Sequence, residues 1–244
     1  MRNDPQPQNS PPKFGGSAYG GGGIFNALPP VVVVLAMIVG AVEIVLSAAE
    51  MGFVGGPQGI GWRIMAIQDY GFSPVVWDQV VMLGNHSAVM VRRFVTYGFV
   101  HGSFTHTLFA LALLLALGKF VGEVFAWWAL LVLIVAGLIA GAAVFGLVFE
   151  GPLPLFGIYP AVYALIGGFT YVMWLRLGQV GGNQIGAFRL IGVLLLFQLV
   201  FGALFGSDWG FFVSEIAAFV VGLLLSVVLS PGGVAALRMR LRNR

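Results

Sequence analysis

The chain has 244 residues, of which 59% are hydrophobic and 9% charged, and its mean hydropathy is +0.97. Soluble domains carry about 25% charged residues, so this composition excludes an ordinary water-soluble domain and indicates an integral membrane protein. The absence of cysteine excludes disulfides, thiolate metal sites and cysteine catalysis, and a net charge of +3 gives no reason to expect nucleic acid as a partner.

The N-terminal segment, residues 1–29, is rich in proline, glycine, asparagine and serine. Its apolar content is too low to offset the entropy of ordering, so we expect a disordered tail. A charged segment leading into a short apolar stretch with a small-residue cleavage site is missing, so we expect the first apolar span to be retained. A membrane domain over 30–230 and a basic cytoplasmic tail over 231–244 should follow.

Six apolar stretches are long enough to cross about 30 Å of hydrocarbon at roughly 20 residues each. They cover residues 30–50, 104–122, 126–149, 158–176, 188–206 and 210–230. An even number of spans places both termini on the same side of the membrane.

Basic residues suggest which side that is. Four arginines between Arg238 and Arg244, the pair Arg176 and Arg189 around the loop after the fourth span, and Lys119 all lie on one face of a six-span arrangement. Cytoplasmic loops carry an excess of lysine and arginine. We therefore predict a multi-pass protein with both termini cytoplasmic, of the kind found in a bacterial inner membrane.

The loop between the first two spans, residues 54–103, is unusually long. Its apolar and aromatic side chains are interspersed with the charged residues Arg63, Asp69 and Asp78. Such a mixture is typical of short helices that lie in the membrane interface. We expect this loop to be partly embedded in the membrane, with Arg92 and Arg93 near its external end.

Three sequence blocks carry the candidate functional residues. The first reads Arg93-Phe-Val-Thr-Tyr-Gly-Phe-Val-His101-Gly-Ser-Phe-Thr-His106-Thr-Leu-Phe-Ala110 and enters the second span. The second, at the start of the fourth span, is Gly157-Ile-Tyr-Pro-Ala-Val-Tyr-Ala-Leu-Ile-Gly-Gly168. The third, in the sixth span, is Glu215-Ile-Ala-Ala218-Phe-Val-Val-Gly222.

In this order and on these spans, the blocks resemble the motifs of rhomboids, a family of intramembrane serine proteases. The matching positions are Arg93, Thr96, His101, His106, Gly157, Tyr163, Gly167 and Gly222. The resemblance covers about 30–230. It implies an all-α polytopic membrane protein, a rhomboid-like bundle of six transmembrane helices with a long, partly membrane-embedded first loop. The structural family motif consists of Arg93, His101, Gly157, Tyr163, Gly167 and Gly222.

The catalytic positions of that family are degenerate in this chain. Tyr159 replaces the serine nucleophile, Glu215 the catalytic histidine and Ala110 the oxyanion-binding asparagine. Of the four side chains only His106 is retained, and Pro160 removes a backbone N–H beside the nucleophile position. Losing nucleophile and base costs on the order of 10⁶ in kcat in soluble serine proteases. We therefore predict a pseudoprotease without catalytic residues, although the family is one of serine endopeptidases.

Two acidic residues lie within predicted spans, where a carboxylate is expensive and usually functional. Glu215 is either a proton-linked or client-binding acid or a neutral carboxyl hydrogen-bonded within the bundle, and we expect Tyr159 as its partner. Glu43 and Glu215 together raise the possibility of a transporter. Transport sites normally come with internal repeats and broken helices, which we do not find in the sequence, so we expect Glu43 to be hydrogen-bonded or to face the membrane interface.

The histidines do not predict a metal site. His101 and His106 are five residues apart and do not share a helix face as i,i+4 ligands do, and the only other histidine is His86. We expect hydrogen bonds that orient neighbouring groups, and neither a metal nor a cofactor.

The leading functional hypothesis is an inactive rhomboid-like protein that binds transmembrane clients. The resemblance implies lateral entry of clients between spans two and five. The candidate client-binding residues are an i,i+4 stripe on span five, Phe197, Phe201 and Phe205, together with Leu115 of span two. The alternative is that the stripe faces lipid or packs within the bundle. The alternatives are an active intramembrane serine endopeptidase and a structural subunit of a membrane complex. Expected partners are membrane lipids and transmembrane proteins, with no nucleic acid.

Overall fold

A computed structural model of the protein describes residues 28–205, 209–231 and 233. Within helix α10, the side chains of residues 201, 202 and 205 are also outside this description. Residues 1–27 of the predicted disordered tail and nearly all of the predicted basic tail therefore lie outside the described residues.

The described chain is helical. Its α-helices are α1 (Pro30–Glu50), α2 (Gly56–Gly59), α3 (Trp62–Tyr70), α4 (Pro74–Trp77), α5 (Ala88–Val91), α6 (Arg93–Thr96), α7 (Phe104–Gly122), α8 (Trp127–Val148), α9 (Tyr159–Gln179), α10 (Arg189–Phe205) and α11 (Trp209–Leu229). A π-helical turn at Asp78–Met82 and 3-10 helices at Tyr97–Phe99 and Gln184–Phe188 complete the helical elements. Phe72 and Leu155 form an isolated antiparallel bridge between the first loop and the segment before α9.

Five described helices are long and apolar enough to cross a membrane: α1, α7, α8, α9 and α11. The predicted fifth span corresponds to α10, whose 17 residues extend about 26 Å and make it the shortest of the six. The all-α polytopic bundle is thus confirmed. Five of the six predicted spans are helices long and apolar enough to cross a membrane, and the described part of the remaining one, α10, ends before residues 206–208, so this count holds for the described residues alone.

A capping serine and prolines in first turns explain where three of the long helices begin. The Ser103 hydroxyl caps α7 by accepting a hydrogen bond of 3.2 Å from the backbone N–H of His106. Prolines stand in the first turns of α1 and α9, where the missing N–H costs no helical hydrogen bond. Pro160 can therefore begin α9 even though it would break a helix further along.

Helix α9 is the centre of the bundle. It packs against α7, α8 and α11, and every residue from 160 to 168 is buried. Among the five candidate spans α9 has the lowest mean hydropathy, 1.3, and the largest buried share, which fits a helix that contacts other helices more than lipid. The motif that begins this helix is consequently surrounded by the other spans.

Glycines allow α9 and α11 to approach closely. A Cβ on Gly222 of α11 would collide with the backbone of Ala164, and one on Gly167 of α9 would collide with the backbone of Phe219 and Leu223. Small residues at such crossings let backbones pack directly against each other in membranes. Gly167 and Gly222, two of the family-motif positions, thus set the distance between α9 and α11.

We predict that Gly222→Ala and Gly167→Ala each destabilise the folded protein by ~1–3 kcal/mol, because the helix backbones must separate. Gly192→Ala on α10 is the matched control, since a Cβ there meets nothing within 4 Å. The free energy of unfolding in a denaturing-detergent titration measures the difference. Equal effects at all three positions would show that the α9–α11 contact is not tight.

The first loop is anchored by one buried arginine. Arg63 of α3 is 4% exposed and its guanidinium donates to Glu43 of α1 at 2.8 and 3.0 Å and to Glu50 at 2.6 Å. A further N–H of this group donates to the backbone oxygen of His101 at 2.9 Å. Its hydrogen bonds with Glu43 raise the pKa of Arg63 above the ordinary value, against the opposing effect of burial.

Glu43 is satisfied from three elements. It accepts hydrogen bonds of 2.6 Å from both Ser47, one turn along α1, and Thr107 in the first turn of α7, besides those from Arg63. The expectation of a hydrogen-bonded Glu43 agrees with this geometry, and the partner is a cation from the first loop. The cation and the hydrogen bonds offset the free-energy cost of burying this carboxylate within a span.

We predict that Arg63→Gln destabilises the protein by ~3–5 kcal/mol, because it leaves the Glu43 carboxylate buried without a cation. Glu50→Gln should cost about 1 kcal/mol or less, since the Glu50 side chain is 42% exposed. The double variant Arg63→Gln/Glu43→Gln should recover part of the loss. Unfolding free energies that do not distinguish Arg63→Gln from Glu50→Gln would rule out a buried ion pair as the anchor.

Candidate functional site

The three sequence blocks come together around α9, where the first block contacts the helix start through His101 and His106 and the third contacts Tyr163 through Glu215. Gly157, just before α9, has φ +96°, a conformation that favours glycine. Its N–H donates to the backbone oxygen of Tyr97 at 2.9 Å. The next N–H, that of Ile158, donates to Nε2 of His101 at 3.2 Å. Two backbone donors thus hold the chain against the first block as it enters α9.

His101 is 1% exposed and acts as an acceptor in this arrangement. Burial, aided by the charges of His106 and Arg63, lowers the pKa of His101 to about 3, so its imidazole is neutral at pH 7. Because Nε2 accepts, the proton of the neutral ring is on Nδ1. The arrangement makes His101 a group that orients the start of α9.

Tyr159 lies directly against His106. The two rings stack with centroids 4.9 Å apart and an angle of 13° between their planes. The Tyr159 hydroxyl donates to the backbone oxygen of His106 at 3.4 Å, and Nδ1 of His106 accepts from the N–H of Gly102 at 3.4 Å. The phenol ring therefore covers one face of the retained imidazole.

Neighbouring groups offer little for acyl transfer. Pro160 is buried in the first turn of α9 and has no N–H to bind an oxyanion, and Ala110 is fully buried and has no polar side chain. The hydroxyl of Ser214 donates to the Gly210 oxygen at 2.8 Å, and that of Ser103 caps α7. Both serine hydroxyls nearest the blocks are thus engaged in helix backbone contacts.

Glu215 is 4% exposed and bonds to α10 and α9. It accepts a hydrogen bond from the side-chain amide of Gln198, and the Tyr163 hydroxyl interacts with the same carboxyl. The predicted Tyr159–Glu215 hydrogen bond is therefore wrong. The Tyr159 hydroxyl is directed at α7, while Gln198 and Tyr163 already satisfy the carboxyl.

Sequence reasoning missed Gln198 altogether. The signal was available, since Gln198 is the one strongly polar side chain between residues 190 and 205 of an apolar stretch. A polar residue in such a helix has to find a partner away from lipid. Only the fold shows that this partner lies on α11.

The predicted client-binding residues are only partly described. Phe197 is 60% exposed on α10, and Leu115 of α7 is half-buried against the core. The side chains of Phe201 and Phe205 lie outside the described residues, so the predicted stripe and its position opposite Leu115 stay a prediction. Within the part of the chain that the structure describes, no three His, Asp or Glu side chains come together as metal ligands.

Comparison with known proteins assigns the fold to a family. The search among curated proteins gives no significant match. The sequence profile of the Rhomboid domain matches residues 88–232, which is more than half of the chain and includes the three blocks together with helices α5 to α11. The chain belongs to the rhomboid family.

Proposed function

We propose that this rhomboid-family membrane protein is catalytically inactive and binds the transmembrane helices of client or partner proteins. The observation that carries the first half of this proposal is the stacking of Tyr159 on His106. A phenol stands at the nucleophile position, and its ring lies against the histidine that would help to bind the oxyanion. Substrate carbonyl and phenol ring would compete for the same space.

The chemistry of the neighbouring positions supports the same conclusion. A serine nucleophile needs an adjacent base and preorganised donors for the oxyanion. Here Glu215 at the base position is bonded to Gln198 and Tyr163, and Pro160 and Ala110 supply no donor. An active endopeptidase, the first alternative, would need a nucleophile from elsewhere in the chain.

Helix α10 supports the client-binding half of the proposal. Its outward side chains are largely exposed, among them Val193 at 64% and Leu196 at 61%. Its polar link to α11 is the hydrogen bond from Gln198 to Glu215. Interhelical hydrogen bonds in membranes contribute only about 0.6 kcal/mol on average, so this bond by itself does little to hold α10 in place.

An opening between α7 and α10 would bring a client helix to polar groups inside the bundle. Glu215, Tyr163 and Gln198 would then be available to polar residues of the client, which have few partners in lipid. Membrane lipids would cover the same groove in the absence of a client. We place this activity in a bacterial inner membrane, with both termini cytoplasmic, as the arginine distribution predicts.

We predict that the purified protein neither cleaves a transmembrane reporter nor reacts with a fluorophosphonate, because no activated hydroxyl stands at the catalytic position. An active rhomboid protease in the same detergent is the positive control. Reporter cleavage and gel-based labelling measure the two activities. Specific cleavage that is abolished by Tyr159→Phe or His106→Ala would establish a protease instead.

We predict that a photo-crosslinker introduced at Phe197 or Leu115 captures discrete membrane proteins in cells, because these positions border the proposed entry. Leu131 on α8, 37% exposed, is the control position and should give only lipid adducts. Mass spectrometry of the adducts identifies the partners. Capture from Leu131 with none from Phe197 or Leu115 would favour the structural-subunit alternative over client binding.

A further inference from the structure

A cavity of about 320 Å³ opens at the first loop, away from the motif site. One wall is apolar and consists of Ile64 and Ile67 of α3. Pro152 and Pro154, from the segment between α8 and α9, close another side. Since a water molecule takes up about 30 Å³ in the liquid, the cavity has room for a group of roughly ten heavy atoms.

Polar groups stand among these apolar walls. Gln68 of α3, Ser73 before α4 and Arg93, the first residue of α6, line the same cavity. Of these only Arg93 carries a charge, and the residues that line the cavity include no acidic side chain. The cavity is thus amphipathic and its single formal charge is positive.

Arg93 lacks a partner in the described part of the chain. Both salt bridges found there are made by Arg63. The Nε atom of Arg93 is buried and makes no hydrogen bond. Because this atom has almost no accessible surface, a ligand in the cavity would meet the terminal nitrogens of Arg93, which make no hydrogen bond or ion pair within the described residues.

The adjacent arginine behaves differently. Arg92 is exposed and its guanidinium lies over the ring of Tyr70, 5.0 Å from the centroid. It does not line the cavity. The two arginines are adjacent in the sequence, but only Arg93 lines the cavity.

We propose that this cavity binds the phosphate of an anionic phospholipid headgroup. The planar guanidinium of Arg93 matches the geometry of a phosphate, with its two terminal nitrogens donating side by side. Ser73 and Gln68 supply further polar contacts, and the apolar wall formed by Ile64 and Ile67 accommodates the glycerol and the first acyl carbons. The amphipathic first loop lies where headgroups are.

This site is independent of client binding, since it lies on the first loop and uses neither α10 nor Glu215. It would hold the loop at the interface by a bound lipid. A general attraction of basic surfaces to anionic membranes would involve Arg92 as much as Arg93, whereas a built site involves Arg93 alone. Substituting Arg92 and Arg93 separately therefore distinguishes a specific lipid site from a general attraction to anionic membranes.

The test is native mass spectrometry of the full chain, released from a neutral detergent to which phosphatidylglycerol or phosphatidylcholine is added. The wild type should retain one phosphatidylglycerol in preference to phosphatidylcholine. Arg93→Gln should weaken that retention roughly tenfold, the effect of losing a charge-assisted hydrogen bond, while Arg92→Gln should leave it within about twofold. Arg93→Lys should restore it only in part, because lysine lacks the planar fork.

A second variant leaves the charge in place. Ile64 is 64% exposed, so Ile64→Trp can narrow the cavity without disturbing the core, and it should also weaken retention. Equal losses in Arg92→Gln and Arg93→Gln, or none in Arg93→Gln, would overturn the proposal. Displacement of phosphatidylglycerol by millimolar inorganic phosphate would overturn the assignment to a lipid and leave a free-phosphate site.

Discussion

The buried guanidinium of Arg63 connects the parts of the molecule on which the site depends. It joins the first loop to Glu43 and Glu50 of α1, and it donates to the backbone of His101. His101 in turn accepts from the N–H of Ile158 at the start of α9. One connected set of hydrogen bonds therefore runs from α1 through the loop to the helix that carries Tyr159.

This connection explains how the family's frame persists where the catalytic residues do not. The close contact of α9 with α11 depends on Gly167 and Gly222, and the entry to α9 depends on Gly157 and His101. None of these residues is the nucleophile or its base. The catalytic positions can therefore change without altering the helix arrangement, provided that each new polar side chain finds a partner, as Glu215 does with Gln198.

Much of the fold could be predicted from the sequence because hydrophobic spans and small-residue spacings are local signals. The partners of the buried polar groups could not. Arg63 and Glu43 are 20 residues apart, on α3 and α1, and a carboxylate in a span does not reveal which element supplies its cation. The predicted Tyr159–Glu215 hydrogen bond was wrong because the motifs place the two residues on neighbouring helices but do not determine the directions of their side chains. Stacking on His106 sends the tyrosine hydroxyl to α7 instead.

The central claim is that the frame is intact and that the proposed loss of nucleophilic chemistry comes chiefly from residues 159, 160 and 215 and not from a changed helix arrangement. The most direct measurement is the rate of fluorophosphonate attachment at residue 159, located by mass spectrometry, in the wild type and in Tyr159→Ser/Pro160→Gly/Glu215→His. The double variant Tyr159→Ser/Pro160→Gly is the matched control. We expect labelling of the triple variant, with none of the wild type and little of the double variant. Labelling of the wild type, or a folded triple variant that does not react, would contradict this account.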